Sequence, residues 1–451
     1  MRNLLWVSVI VCSMVCVAAG QQPTGQAASA SDVSVLQQQI RDLEDRVVML
    51  EGQIRQMKTQ TAPAKTAQPE VTQTQPGTGA TAVQGQAAPA ERAAGVIPSG
   101  AEQVRLGGAG VSAAKALNPD ISVIGDFVAD AGHNPISPTP SFQMHESEVG
   151  LQAIVDPYAR ADFFISFGEE GVNLEEGFIT FTALPNSFVA KVGKMRAAFG
   201  KVNTLHNHVL PWVDRPLVTQ NLVGGEDGID DAGVSVQRII PVPKNWFLEF
   251  TGQAFRGDSS EVFASSSKDD LSVVGHLRSY KDITDNSNID LGVSYSRGHN
   301  LFGSDFITHL YGVDATYRWK PLQRAIYRSF VARSEFIWRQ QNQPSSLTVC
   351  AMILCPPNTA GGFQRAFGFY TSADYQFARR WFVGGRVDDS KRAFNAHLND
   401  KGGSLVLTYW PSEFAQIRGQ YRFTRYAENI DAHELLMQVQ FALGAHGAHP
   451  F

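Results

Sequence analysis

The amino-acid sequence predicts an all-β fold, a transmembrane antiparallel β-barrel of about sixteen strands, preceded by an N-terminal α-helical coiled coil. Three observations carry this prediction. Apolar and polar side chains alternate with period two from Ala101 onward, short and long links between strands alternate, and aromatic residues stand at strand ends. The mean hydropathy of −0.15 fits too, because a barrel that turns apolar side chains outward keeps polar ones inside.

The N-terminus has the pattern of a secretory signal peptide, residues 1–20. Arg2 precedes an apolar stretch that ends in small residues. A membrane-spanning helix needs about 20 apolar residues, and polar residues follow too soon for one. Cys16 is either a lipid-modified residue after cleavage or part of a discarded peptide, and the bulky Val15 before it favours the discarded peptide. We therefore expect an exported chain.

The next segment, residues 33–58, predicts a coiled coil. Its apolar residues follow steps of three and four, namely Val33, Leu36, Ile40, Leu43, Val47, Leu50, Ile54 and Met57. An ordinary amphipathic helix would show a broader stripe at period 3.6. Residues 59–100 are rich in Thr, Gln, Ala, Pro and Gly, which predicts a low-complexity periplasmic linker because such a chain buries too little apolar surface to fold.

The barrel, residues 118–451, follows. Sixteen alternating segments start near residues 121, 146, 158, 174, 188, 231, 245, 271, 289, 308, 327, 366, 381, 401, 414 and 433. Strands of soluble β-sandwiches also alternate apolar and polar residues, so the lengths of the links distinguish a barrel from a sandwich. We expect short links after even-numbered strands, such as Asp156-Pro157 and Arg379-Arg380, and long links after odd ones, including 199–230, 257–270 and 340–365. Tryptophans expected at the membrane interfaces are Trp246, Trp319, Trp338, Trp381 and Trp410.

The polar face of the strands is expected to line the lumen. The pore-lining candidates are Arg278, Arg318, Arg333, Arg386, Arg418, Arg422, Asp126, Glu148, Asp162 and Glu176. Acidic residues dominate strands one to four, whereas arginines concentrate in strands ten to sixteen. A basic wall facing an acidic one would create a transverse field across a pore. The alternative is that these charges are solvated and offset one another in pairs.

The longest link, residues 201–230, carries more apolar bulk than a loop in water needs, including Leu210, Trp212 and Leu217. We expect it to fold inward and narrow the channel; the alternative is a loop that caps the barrel or touches a neighbouring subunit. The constriction-loop candidates are His206, His208, Asp214, Arg215, Glu226, Asp227, Asp230 and Asp231, the last acids being expected to face the arginines.

Short motifs resemble known outer-membrane families. KVGKMRAAFGK at 191–201 and DAGVSVQ at 231–237 resemble phosphate-selective porins O and P. NPDISVIGDF at 118–127, NTLHNHVLPWVDRPLV at 203–218 and LGAHGAHPF at 443–451 are similar to relatives described as zinc-regulated outer-membrane receptors. The porin resemblance implies a trimeric 16-strand barrel with a basic ladder, which the mixed lumen does not reproduce. The receptor resemblance implies energised uptake by a larger barrel that holds a plug domain. The predicted coiled coil and linker at the N-terminus do not resemble such a plug.

Cysteines and histidines raise the question of metal. Cys350 and Cys355 share a Pro-rich loop and predict a local disulfide, with a metal pair or a reactive thiol as the alternatives. His206 and His208 share a loop, but two imidazoles with no Cys or carboxylate nearby in the sequence fall short of the three or four ligands that zinc takes. We expect no metal site and no cofactor.

The sequence therefore predicts a porin that lets small hydrophilic solutes or ions diffuse passively across the outer membrane. Its expected surroundings are outer-membrane lipid, with the N-terminal segment in the periplasm and Phe451 as the terminal aromatic. We expect a homotrimer, although β-branched residues at the first core position of the heptads favour two strands. The net charge of −5 suggests no nucleic-acid partner.

Two other function classes stay open. One is an uptake receptor for a metal or small ligand, and the other is a structural anchor that tethers the membrane to peptidoglycan through the coiled coil. An enzyme is not expected, because a hydrolase needs a nucleophile with its histidine and carboxylate, and no G-x-S-x-G motif is present.

Overall fold

The structure, a computed structural model, describes residues 119–168, 171–242, 246–259, 261–345, 356 and 358–444. The predicted signal peptide, coiled coil and linker lie outside these residues, as do Cys350, Cys355 and Phe451. Within the described part of the chain, no helix has both the length and the apolar character that crossing a membrane requires.

Sixteen antiparallel strands form one closed barrel. The first half comprises β1 Asp120–His133, β2 Phe142–Asp156, β3 Ala159–Gly168, β4 Gly171–Phe181, β5 Phe188–Arg196, β6 Asp230–Ile240, β7 Trp246–Phe255 and β8 Ser272–Thr284. The second half comprises β9 Ser287–Asn300, β10 Gly303–Trp319, β11 Ser329–Gln341, β12 Gln364–Ala378, β13 Trp381–Arg392, β14 Asn395–Ser412, β15 Ala415–Arg425 and β16 Asp431–Gly444. Each strand pairs with its neighbours in sequence, and β1 closes on β16 with Val123 opposite Leu443.

The two faces of the wall differ as the alternation predicts. On β16, Leu435 and Met437 are 57% and 48% exposed, whereas Glu434 and Gln438 on either side of them are each 1% exposed. An apolar belt with the same exposure runs around the barrel through residues such as Val192, Val234, Leu277, Val293, Val313 and Leu405. The prediction of an all-β barrel of about sixteen strands is confirmed.

The predicted sorting of links is only partly right. The links 197–229, 256–271 and 342–363 are long and follow odd-numbered strands, but the links after β9 and β13 are two-residue turns, and the even-numbered β10 is followed by residues 320–328. The turn residues Phe302 and Phe394 are buried and their ring centroids lie 6.3 Å apart. Strand β10 begins at Gly303 and β14 at Asn395, earlier than the predicted starts near 308 and 401. The apolar turns that precede these strands pack on a core inside the barrel.

Part of the inner face is apolar as well. Leu310, Ile337, Tyr370 and Val406 are buried on the inner face, at 4% exposure or less. They belong to one cluster with apolar residues of the 197–229 segment. Polar lining gives way to apolar lining where this segment covers the wall.

Candidate functional site

The segment between β5 and β6, residues 197–229, runs through the barrel interior; we call it the internal loop. Phe199, Val202, Leu210, Trp212 and Leu222 of this loop are at most 1% exposed. A short helix, α1 Leu217–Leu222, packs against β12 and β13. Because the apolar side chains of the loop pack on the inner wall, burial of their surface favours the inward path over an excursion into water.

The base of the internal loop is closed by Asn203. Its Nδ2 donates to the carbonyl oxygens of Ala197 and Ile229 at 2.9 and 3.1 Å, and its Oδ1 accepts from the Ile229 N–H at 2.8 Å. Gly228 has φ +63, and a Cβ there would meet Asn203 Oδ1 at 2.1 Å. Asparagine and glycine thus hold the two ends of the loop together.

Arg215 closes the middle of the loop from within. Its guanidinium donates to Asn207 Oδ1 at 2.9 Å and to the carbonyl oxygens of Val202 and Leu205 at 3.1 and 2.7 Å. Burial lowers the pKa of Arg215 to about 10, so the side chain stays cationic at neutral pH. A predicted constriction residue therefore acts as the internal brace of the loop.

The loop meets an arginine wall made of Arg386 on β13 and of Arg418 and Arg422 on β15. Asp214 Oδ2 accepts from Arg386 at 2.8 Å and from Arg422 at 3.1 Å, while Arg418 donates to the carbonyl of Trp212 at 3.0 Å. Burial opposes ionisation of Asp214, but Arg386 and Arg422 hold the pKa of this carboxyl below its usual range. The Arg386 guanidinium also lies 4.9 Å from the centroid of the Trp212 ring.

On another side the loop meets an acidic wall made of Glu146 and Glu148 on β2 and of Glu175 and Glu176 on β4. His206 Nδ1 lies 2.7 Å from Glu148 and 3.0 Å from Glu175, and its Nε2 lies 2.9 Å from Glu176. Burial disfavours the charged imidazole, yet the three carboxylates raise the pKa of His206 well above its ordinary value. His206 is thus held as a cation among carboxylates.

Two β-bulges build the acidic wall. Asp126 pairs with Glu146 and Phe127 with Met144, which leaves His145 as an extra residue in β2. Phe164 pairs with Glu176 and Ile165 with Leu174, which leaves Glu175 extra in β4. A bulge breaks strict alternation and lets consecutive side chains point to one face. His145 and Glu146, and likewise Glu175 and Glu176, therefore all reach the interior.

A third attachment lies on β9 and β11. Lys201 Nζ lies 3.4 Å from Asp290 Oδ2, and Glu335 accepts from the backbone N–H groups of Lys201 and Val202. Asp290 is shared with Arg278, whose Nη2 donates at 2.8 Å. The loop is therefore fixed at three places distributed around the barrel wall.

The other predicted lining residues lie on the inner face and are mostly paired. Arg333 pairs with Asp374 at 2.5 Å, and Arg318 lies 3.6 Å from Asp290. Asp162 accepts from Arg160 at 2.8 Å, and Asp126 accepts from Gln438 at 3.0 Å. Opposite charges are thus largely matched within reach of one another.

The last predicted constriction residues lie away from the arginine wall. Glu226 is exposed and lies 3.2 Å from His145, and Asp227 is exposed as well. Asp230 and Asp231 are the first residues of β6; Asp230 pairs with Lys194 at 2.8 Å, and Asp231 accepts from the N–H groups of Gly257 and Asp258, each at 2.8 Å. Among the described hydrogen bonds and ion pairs, the loop acid that meets the arginine wall is Asp214.

Sequence reasoning missed Glu146 and Glu175, and it set His206 and His208 apart from any carboxylate. The alternation of side chains in β2 and β4 does not reveal the bulges at His145 and Glu175, because a bulge depends on how the neighbouring strand pairs. Around the barrel, β13 of the arginine wall lies nearly opposite β4 of the acidic wall, whereas only β16 and β1 separate β15 from β2.

Comparison with known proteins places the fold. The structure matches the anion-selective porin from Comamonas acidovorans at a TM-score of 0.50, with 9% identity over 72% of this chain and 99% of that one. The chain has a porin-like fold. Pseudomonas putida OprB (TM-score 0.49, 9% identity, 72% and 94% coverage) and the outer-membrane channel DcaP of Acinetobacter baumannii (0.46, 10%, 72% and 96%) are also similar.

In sequence, the chain is 28% identical over 358 residues to an uncharacterized protein of Aquifex aeolicus, covering 71% of this chain and 72% of that protein. No family model matches the chain.

Proposed function

We propose that this protein is an outer-membrane channel through which small hydrophilic solutes or ions diffuse passively, and that the internal loop narrows the passage. An apolar outward belt suits contact with lipid, and an inner face of ionisable side chains suits contact with water. The porin-like fold supports the same reading. No solute-driven or energised step is part of this proposal.

One observation carries the proposal: the internal loop is tied to the wall by charges of both signs. His206 meets the acidic wall at 2.7 Å, and Asp214 meets the arginine wall at 2.8 Å. A loop held in this way resists displacement by solvent or solute, because releasing it strands buried charges on both walls. The loop therefore sets a fixed cross-section for whatever passes.

We further propose that selectivity arises beside the loop rather than from a continuous ladder of one sign. Arg333 and Arg318 keep 23% and 33% of their side-chain surface exposed on the inner face, whereas Arg386 keeps 1%. Exposed charges act on a passing ion, while a buried paired charge mainly holds the loop. We expect Arg318 and Arg333 to influence ion preference more than Arg386 does.

The test is single-channel conductance of the refolded full chain in planar bilayers, with reversal potentials in a salt gradient. Deleting residues 205–223, which keeps Asn203 and Ile229, should raise the conductance. The matched control deletes residues 321–327 from the link after β10, which lies outside the internal loop. The proposal is supported by stepwise ohmic openings whose conductance rises in the 205–223 deletion but not in the 321–327 deletion. A folded barrel that is silent both with and without 205–223 would contradict it.

The homotrimer and the periplasmic tether remain proposals beside the channel. Cross-linking of the detergent-purified full chain should give trimers, and dimers alone would favour the two-stranded heptad signal instead. A peptidoglycan pull-down with residues 21–100 tests the tether, and failure to sediment with peptidoglycan would remove it.

A further inference from the structure

Four side chains converge where the internal loop meets β2. Glu146 and Glu148 come from the strand, His206 and His208 from the loop, and one ligand-type atom of each lies within 4.8 Å of the others. His206 Nδ1 is 2.7 Å from Glu148 Oε2, and His208 Nδ1 is 3.8 Å from the same oxygen and 3.9 Å from Glu146 Oε1. All four residues are at least nine-tenths buried.

Glu146 is the side chain that hydrogen bonding does not explain. It is 6% exposed, and neither of its carboxylate oxygens has a hydrogen-bond partner among the described residues. A buried carboxylate without hydrogen bonds is costly, so such a group needs another source of stabilisation. The open face of this carboxylate is directed at His208 and Glu148.

The charge around the cluster points the same way. Glu175 and Glu176 of β4 also contact His206, so four carboxylates surround the two imidazoles. Arg196 pairs with Glu175 at 3.0 Å, and the Arg215 guanidinium donates to loop carbonyls and Asn207 instead. Once the proton on His206 is removed, these two guanidinium groups offset only part of the negative charge of the four carboxylates. A bound divalent ion would supply the remainder.

We propose that Glu146, Glu148, His206 and His208 bind one divalent first-row transition cation, of which zinc is the test case. Two imidazole nitrogens and two carboxylate oxygens form a donor set that zinc accepts, whereas calcium and magnesium prefer oxygen alone. At bond lengths of about 2.0–2.2 Å, the ligands of a tetrahedral zinc ion stand roughly 3.3–3.6 Å apart. The present separations run from 2.7 Å between His206 Nδ1 and Glu148 Oε2 to no more than 4.8 Å for any pair, so binding requires the more distant side chains to rotate inward.

Glu176 has a supporting part in this site. Its Oε2 lies 2.9 Å from His206 Nε2, which leaves Nδ1, the nitrogen beside Glu148, as the metal-binding atom. A carboxylate that accepts from the far nitrogen of a ligating histidine orients the ring and strengthens it as a ligand. The cation takes the place of the proton on His206, so binding and protonation compete. This site stands independently of the channel proposal.

The experiment measures zinc binding to the untagged, refolded full chain by titration calorimetry, with cobalt absorption spectroscopy as a second readout of the ligand set. We expect one zinc ion per chain and a visible cobalt spectrum of low coordination number. Glu146→Gln and His208→Gln should each weaken binding roughly 10- to 100-fold. The controls are Asp227→Asn on the exposed part of the same loop and His276→Gln on β8, which should bind zinc as the parent does.

Heat-modifiable electrophoretic mobility verifies that each variant is a folded barrel. Glu146→Gln is the decisive variant, because within the described part of the chain that carboxylate has no hydrogen-bond partner whose loss would disturb the fold. Absence of binding to the folded parent overturns the proposal. So does binding that survives both ligand substitutions, or binding that disappears in a His446→Ala/His449→Ala variant, which would locate the metal at the C-terminus. Conductance of the parent without metal tests the channel separately.

Discussion

Arg386 of β13 lies against Asp214 of the internal loop, with Nη2 2.8 Å from Oδ2, although 172 residues separate them in sequence. The same guanidinium covers the face of Trp212 and donates to Asp388 at 2.7 Å. A charge on the wall, a charge on the loop and an aromatic ring are thus joined at one point. This junction holds the loop at the arginine wall, where we propose that the loop narrows the passage.

Replacing Asp214 by Asn should loosen the loop. Arg386 and Arg422 would lose their shared carboxylate, and breaking a buried ion pair from one side costs about 3–5 kcal/mol. We expect higher and noisier single-channel conductance than in the parent. Asp227→Asn, an exposed position on the same loop, is the control and should behave as the parent. Unchanged conductance with Asp214→Asn would show that this contact does not hold the constriction.

The Asp214 contact should also survive mild acid. The pKa of Asp214 in the folded protein lies below its ordinary value of 3.8, so its stabilising contribution is complete above that value and disappears only as the pH falls through the lowered pKa. Conductance should therefore show no transition from this group between neutral pH and about pH 4. A transition in that interval that is absent from Asp214→Asn would contradict the assignment.

His206 should give the opposite pH dependence. Its folded pKa is raised above 6.5, so its contacts with the acidic wall stabilise the loop fully below that value and weaken as the pH rises through the raised pKa. We expect conductance to increase in the alkaline range in the parent and to lose this component in His206→Gln. The measurement is made with a chelator present, so that metal binding does not contribute. Identical alkaline profiles for the two proteins would exclude His206 as the titrating group.

Asn203→Ala should open the base of the loop. The substitution removes two donated hydrogen bonds and one accepted hydrogen bond to Ala197 and Ile229. Both carbonyl oxygens keep a backbone donor, so the buried group left unpaired is the Ile229 N–H, at a cost of roughly 1–3 kcal/mol. We expect faster cleavage between β5 and β6 by an added protease. Thr204→Ala, an exposed neighbour, is the control. Equal cleavage rates in the two variants would show that the Asn203 hydrogen bonds do not hold the base of the loop.

Trp212→Ala should leave a cavity inside the barrel. The indole is 1% exposed and meets the ring of Tyr370 at 5.2 Å between centroids. Removing a buried tryptophan costs about 3–5 kcal/mol, so we expect lower thermal stability together with larger conductance. Trp246→Ala, which changes an outward tryptophan, should alter conductance little. A Trp212 variant with the conductance of the parent would place the narrowest point elsewhere.

Much of the barrel is readable from local pattern. The alternation around Leu435 and Met437 is a property of neighbouring residues, since successive side chains of a strand point to opposite faces. It locates the strands and the outward belt without knowledge of any distant contact. The apolar bulk of Leu210 and Trp212 likewise indicates that the long link must pack on something.

The tertiary structure alone decided which groups meet inside. The bulges at His145 and Glu175 depend on pairing with β1 and β3, and they bring consecutive side chains to one face. The loop's path depends on contacts such as Asp214 with Arg386, between residues that the sequence does not relate. Alternation is set within a few residues, and so the sequence by itself determined strands, faces and barrel. Side-chain partners across a closed barrel depend on register and closure, and only the folded chain determined them.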